Sequence, residues 1–442
     1  MARYRFWFLF AGSIIFTVIV LALLVSIFER KQQARVVFPQ VVEVKHNEPD
    51  PSVWGKNFPR EYETYMKTLT TMEMSEYSKY GRYGGSEAFS KLDKYPNYIR
   101  LFAGYPFSVE YREERGHLNA LEDMLATKRL GDNKPGACVT CKSSDNPRVF
   151  EAIGEDKFYQ TPAKELIATH GIEHSISCAD CHEAGTMELR VTRPAFIRAM
   201  SERGIDISKA SHQEMRSYVC GQCHVEYYWQ KSDIKLTFPW INGFRIDDIE
   251  AYYDEIGFSD WTHQETGAAM VKIQHPEFEL WSTGIHARSG VTCPDCHMPY
   301  MREGSIKLTD HWIQTPLATI TRSCLQCHNQ TESEMKSRVI EIQDRTFSLL
   351  NRSENAIIAA MDGIKLAIEA GAGDAELKRA RELHRKAQIR WDFISAENSM
   401  GFHSGQEAVR MLGDSIDYAR QAELEAYKVL VKRRPQPERA AR

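Results

Sequence analysis

All ten cysteines of this 442-residue chain fall into five C-x-x-C pairs, which leaves none for a separate disulfide, a nucleophile or a core position. Four pairs are followed at once by histidine: "CADCH" (Cys178, Cys181, His182), "CGQCH" (Cys220, Cys223, His224), "CPDCH" (Cys293, Cys296, His297) and "CLQCH" (Cys324, Cys327, His328). The first in the chain, "CVTCK" (Cys138, Cys141, Lys142), carries lysine instead. C-x-x-C-H is the attachment pattern of c-type haem, in which two thiols bond the porphyrin and the next imidazole reaches the iron. Five sites imply five haems. A structural zinc site needs two pairs, or one pair with two histidines, so an odd number of pairs fits it poorly. A thioredoxin-like redox pair needs a βαβ context that these stretches lack.

Lysine binds iron only through its lone pair. With an ordinary pKa near 10.4, losing the proton at neutral pH costs about 4 to 5 kcal/mol, which coordination and burial must offset. The neighbouring covalent tether makes this feasible by holding the amine at the metal. A haem with so unusual a proximal ligand is the place to expect an open distal face, and hence chemistry. The four histidine-ligated haems can each take a second axial ligand from the eleven histidines outside the motifs. His117, His286, His311 and His403 stand in suggestive contexts, and spacing alone does not choose among them.

Formal net charge is -4, from 56 basic and 60 acidic residues, which gives no electrostatic footprint for nucleic acid. Arg3 and Arg5 precede an uncharged run from Phe6 to Phe28. As a helix that run is roughly 34 Å long, enough to cross a hydrocarbon core of about 30 Å. No small-x-small cleavage site follows, so an uncleaved transmembrane anchor over residues 1–28 is expected. Arg30, Lys31 and Arg35 on its far side blur the positive-inside signal, and covalent haem attachment places the body on the periplasmic side of the membrane.

The expected fold class is mainly α. A linker over 29–60 leads to a multihaem body over 61–330 with little regular β structure, because flat apolar macrocycles replace much side-chain packing. From Thr331 the pattern changes: Met335, Val339, Ile342, Leu349, Leu350, Ile357, Met361, Ile364 and Ile368 form the stripe of a long amphipathic helix. "GAGD" (Gly371 to Asp374) ends it and offers Asp374 as the next N-cap. Two more helices fill the rest of 331–433, and 434–442 is a tail. Intramolecular core and subunit interface both fit the stripe.

The order CxxCK, CxxCH, CxxCHVEYY, CxxCH, CxxCH, with "LFAGYPFSVEYREERGH" (Leu101 to His117) before it and "AVRMLG" (Ala408 to Gly413) after it, resembles the pentahaem cytochrome c nitrite reductases, which form ammonia. The resemblance implies that Lys142 marks the catalytic haem and that the other four carry electrons. It makes His311 the distal ligand of the second haem, His117 of the third, His403 of the fourth and His286 of the fifth, counting along the chain. It implies Arg129, Tyr227 and His275 as the residues around nitrite, with Lys128 and Arg115 near enough in sequence to be confused with Arg129. It also implies a calcium ion held by Glu226, the backbone of Tyr227, Lys272 through its carbonyl, and Gln274. A homodimer and a membrane tetrahaem quinol dehydrogenase as electron donor complete the implied picture. The rival readings are a multihaem electron carrier without substrate chemistry and a multihaem enzyme acting on hydroxylamine or sulfite.

Overall fold

The computed structural model describes residues 2–33, 40–69, 90–113, 115–131, 134–304 and 306–433. The tail at 434–442 and residues 34–39 of the expected linker lie outside them. The chain divides into two units, Met1–Glu43 and Val44–Arg442.

The first unit is one helix, α1 (Ala2–Gln33). Within Tyr4–Glu29 an 18-residue window has mean hydropathy 2.9 and none of it is buried, so by length and composition the helix can cross a membrane.

The second unit begins earlier than the sequence boundary at residue 60. Trp54, only 1% exposed, packs with Val44, Ala179 and Ala184, and the carbonyl of Pro49 accepts hydrogen bonds from Ser144 and Ser177. These contacts make residues 44–60 part of the body. Residues 61–330 and 331–433 likewise belong to this one compact unit.

Among the described residues, strand is confined to three two-stranded ladders. β1 (Tyr228–Trp229) pairs with β2 (Leu236–Thr237), β3 (Trp261–Thr262) with β4 (Ala269–Met270), and β5 (Tyr300–Glu303) with β6 (Ile306–Thr309), all antiparallel. The remainder of the body is short helices and turns, as expected where side chains alone do not fill the interior.

Three long helices close the chain: α2 (Glu332–Glu369), α3 (Asp374–Ala396) and α4 (Gly405–Arg433). Thr331 and Glu334 form a capping box that starts α2, each side chain satisfying the other's backbone N–H. Gly371, at φ +82°, ends it. Its N–H bonds the Ile368 carbonyl and that of Ala372 bonds Ala367, a Schellman closure. Two details differ from the sequence reading. Gly373, not Asp374, is the N-cap of α3, because Glu376 reaches back to the Gly373 N–H at 2.9 Å. Ile368 is exposed, and Ala367 takes its place in the seam. Small residues let the helices approach closely: Ala360, Leu383 and Ala422 form one layer, Ile364, Ala380 and Ala426 the next, and Ala367, Leu377 and Val429 the last.

Candidate functional site

Each C-x-x-C stretch sits on a tight turn or a single helical turn, and in three of the five the residue just before the second cysteine fixes it. Asp180 and Asp295 accept the N–H groups of Ser177 (2.8 Å) and Thr292 (2.7 Å), capping their own turns. Gln222 does the same work from its amide, accepting from Thr192 N–H at 2.8 Å and donating to the Asp180 carbonyl at 2.9 Å. In the lysine motif, Asn146 donates to the carbonyls of Val139 (2.8 Å) and Thr140 (2.9 Å). Gly136, which opens that turn, has the Phe158 carbonyl 2.0 Å from where a Cβ would stand, so no other residue fits there.

Arg193 stitches these turns together. Its side chain is fully buried and donates to the carbonyls of Thr140 (2.6 Å) and Ser143 (3.0 Å) and to Asp180 Oδ1 (2.5 Å). The first and second motifs are thereby held as one piece on either side of Lys142.

The ten cysteines are free thiols in the protein chain alone, standing where thioether sulfurs would be after haem attachment. Their mutual contacts give the spatial order of the sites. Cys141 lies close enough to Cys223, and Cys220 to Cys293, for each thiol to perturb the other's titration. Cys181 lies within electrostatic range of Cys220, and Cys296 within range of Cys324 and Cys327. The sites run first, third, fourth, fifth, with the second branching at the third.

Four histidine pairs match the size of an iron. Ring centroids lie 6.3 Å apart for His182 and His311, 6.2 Å for His224 and His117, 6.2 Å for His297 and His403, and 6.3 Å for His328 and His286. An imidazole nitrogen sits roughly 2.0 Å from a first-row metal and about 1.1 Å from its own ring centre, so two rings capping one metal stand about 6.2 Å apart. Backbone carbonyls take Nδ1 of His182 (Met187, 3.0 Å), His297 (Gln314, 3.0 Å) and His311 (Thr309, 2.8 Å), which leaves Nε2 for the metal. Nδ1 of His403 lies 2.8 Å from Glu397 Oε1. Burial lowers the pKa of His117 to about 3 and of His182 and His297 to about 4, so these imidazoles are neutral and carry the lone pair a metal needs. The residues present therefore fit c-type haem.

Around the lysine motif, Arg129 acts electrostatically on Cys138 and Tyr227, and its Cζ lies 4.3 Å from the centre of the Phe107 ring. Arg115 is instead committed to Asp123, at 2.6 Å, and Lys128 is exposed. Of the three cations, the structure brings Arg129 to the site. Burial raises the Tyr227 pKa, aided by Cys141 and Cys138, so the phenol keeps its proton. The stretches of Tyr227 and His275 run together: Glu226 Oε2 accepts Gln274 N–H at 2.6 Å, and the His224 carbonyl accepts Phe278 N–H at 3.0 Å. Neighbouring elements bring Tyr227 near the lysine motif, and half-buried His275 follows directly on Gln274.

The expected calcium ligands share this junction. Glu226 is fully buried and burial pushes its carboxyl well up; Glu279 and Asp260 push the same way, an environment whose charge a cation would balance. Lys272 sends its amine to Asp392 Oδ1 (2.9 Å) while its carbonyl faces the Gln274 amide (3.0 Å). One carboxylate with carbonyl oxygens is a donor set for a hard cation. Among the described residues no three His, Cys, Asp or Glu side chains gather as a metal cluster.

Paired cysteines on capped turns and histidine rings spaced for iron define a multihaem c-type cytochrome. The family model for cytochrome c552 matches residues 50–439. The chain is 43% identical over 433 residues to cytochrome c-552 of Bacteroides fragilis, covering 96% of this chain and 86% of the relative. It is 37% identical over 438 residues to that of Maridesulfovibrio salexigens, covering 95% and 84%. Among solved structures it resembles cytochrome c nitrite reductase from Desulfovibrio desulfuricans, a structure described with two calcium sites, at TM-score 0.81 and 32% identity over 89% of this chain and 90% of that one. The chain belongs to the cytochrome c552 family.

Proposed function

We propose that this chain is an ammonia-forming nitrite reductase carrying five c-type haems, with Lys142 as proximal ligand of the catalytic one. The observation that carries this reading is the split among the five motifs: four histidines, His182, His224, His297 and His328, each face a second ring at metal-spanning distance, while the first motif supplies a lysine near Arg129 and Tyr227. When bound, the haem at Cys138 and Cys141 supplies an open coordination position and electrons, and the other four relay electrons to it.

The overall change is NO2⁻ + 8 H⁺ + 6 e⁻ → NH4⁺ + 2 H2O. Arg129 holds the anion through its guanidinium N–H groups and polarises the oxygens that must leave as water. His275 hands over protons, and Tyr227, kept neutral by burial, donates a hydrogen bond. Glu226, the Tyr227 and Lys272 carbonyls and Gln274 would hold a calcium ion, which would brace the junction from which Tyr227 and His275 project.

The apolar helix α1 supports membrane anchoring with the body on the periplasmic side, where a membrane tetrahaem quinol dehydrogenase is the donor. Exposed Leu366, Leu424, Tyr427 and Val431 on α2 and α4 support a homodimer through the long helices. The test is spin-state spectroscopy with and without nitrite, together with ammonium yield from dye-reduced protein. One high-spin iron that responds to nitrite and six electrons consumed per ammonium are expected. Five low-spin irons, or reduction of nitrite without ammonium, refutes the proposal.

A further inference from the structure

Arg129 is held from two sides. Its Nε–H donates to Thr127 Oγ1 at 3.2 Å, and its backbone N–H reaches the same oxygen at 3.4 Å. The Thr127 hydroxyl must then point its own proton elsewhere, and it donates to Glu110 Oε2 at 2.7 Å. Glu110 is buried. Its Oε2 also accepts Lys128 N–H at 2.6 Å, and Oε1 takes Arg112 at 2.8 Å. Against the upward push of burial, these donors hold the Glu110 carboxyl below its ordinary range, so it is an acceptor throughout the neutral range.

The second side is the Phe107 ring under the guanidinium. That ring is itself clamped: Tyr111 meets it edge-on at 4.9 Å, Tyr105 lies parallel at 5.7 Å, and Lys272 Nζ sits 4.9 Å from its centre, anchored by Asp392. A guanidinium has five N–H donors in one plane. Here Nε is spent on Thr127, the plane is set by Phe107, and the four Nη hydrogens have no hydrogen-bond partner among the described residues.

We infer that Thr127 and Phe107, backed by Glu110, are positioning residues that preset the Arg129 fork for a small oxyanion. This rests on the reading of Arg129 as the anion-binding residue. Fixing one edge of the fork selects one orientation before the anion arrives, which removes ordering cost from binding.

The test is titration of nitrite into the oxidised, haem-loaded protein, followed by its optical shift, for Thr127→Val, Thr127→Ser, Phe107→Leu and Arg129→Gln, with KM and kcat measured alongside. Thr127→Val is expected to weaken nitrite binding about tenfold and raise KM more than it lowers kcat, because the isosteric valine cannot accept from Nε. Thr127→Ser restores binding to near the wild-type value, which a purely space-filling role for Thr127 does not explain. Phe107→Leu weakens binding about threefold or more with haem content unchanged, and reads the support independently if the valine protein does not assemble. If Arg129→Gln weakens nitrite binding while Thr127→Val and Phe107→Leu bind within about twofold of wild type, the positioning role is wrong and the Arg129 role survives. If Arg129→Gln also binds normally, both are wrong.

Discussion

Replacing Arg193 with methionine tests whether the catalytic turn is held by a buried ion pair. The exchange removes a guanidinium with no solvent exposure and leaves Asp180, 3% exposed, without its charge partner. Breaking a buried pair by deleting one member costs about 3–5 kcal/mol. The carbonyls of Thr140 and Ser143 also lose a donor, at about 1 kcal/mol each, though losses that share one side chain do not add. A loss of about 4 kcal/mol is therefore expected for Arg193→Met. When Arg193→Met is combined with Asp180→Asn the stranded charge is gone, and the new side-chain amide oxygen can still accept from Ser177 N–H, so about 2 kcal/mol should return. Urea unfolding of the haem-loaded proteins measures this, with coincident far-UV and Soret transitions required before free energies are compared. Nitrite turnover should fall in the single variant, since both lost carbonyl bonds flank Lys142. A loss below about 1 kcal/mol, or a double variant no more stable than the single, refutes the reasoning.

Three other perturbations have definite expected outcomes. His46 places Nε2 3.1 Å from Glu151 and Nδ1 3.2 Å from Glu183, and these carboxylates raise its pKa above 6.5. The cation's contribution to stability is thus fully present below 6.5 and fades as pH rises through the raised folded value, so the urea midpoints of wild type and His46→Gln should converge with rising pH. Burial raises the pKa of Glu226, so calcium should bind more weakly, and with more proton release, as pH is lowered through that raised value, read by calorimetry in buffers of different ionisation enthalpy. Glu226→Gln should bind with no release, and chelation should lower turnover reversibly. Changing His311 to alanine should leave His182 without its opposing ring and add one high-spin iron, counted by spectroscopy.

The haem sites were legible because attachment chemistry is local: two thiols and their axial residue lie within five positions, so sequence records them whole. The helical stripe from Met335 to Ile364 was legible for a similar reason, since burial repeats with the helix period. The choice of distal histidines came from resemblance, and ring spacing now supports it physically. What sequence could not carry is made between distant positions. Arg193 reaches Thr140 across 53 residues, Gln274 reaches Glu226 across 48 and Lys272 reaches Asp392 across 120, and none of these partners stands out in composition or period. Aspartate before the second cysteine in "CADCH" and "CPDCH" was a readable capping signal that motif matching passes over.

On the proposed reading, the same division of labour would let one fold hold five chemically similar sites and assign one of them to substrate. A covalently tethered haem is retained whichever axial ligands surround it, so the proximal residue can change without loss of the cofactor. The burden of specificity then passes to groups outside the motif. At the four histidine motifs an opposing imidazole, with Nδ1 bound to a carbonyl in His311 and set against Glu397 in His403, occupies the far side. Near the lysine motif stand Arg129 and Tyr227 instead, with the Glu226–Gln274 junction beside Tyr227. Exchanging Lys142 for histidine should therefore preserve five haems and still leave that one iron open to nitrite, with turnover altered through ligand strength. A closed, nitrite-insensitive centre in Lys142→His would show that the lysine itself, and not its surroundings, keeps the position free.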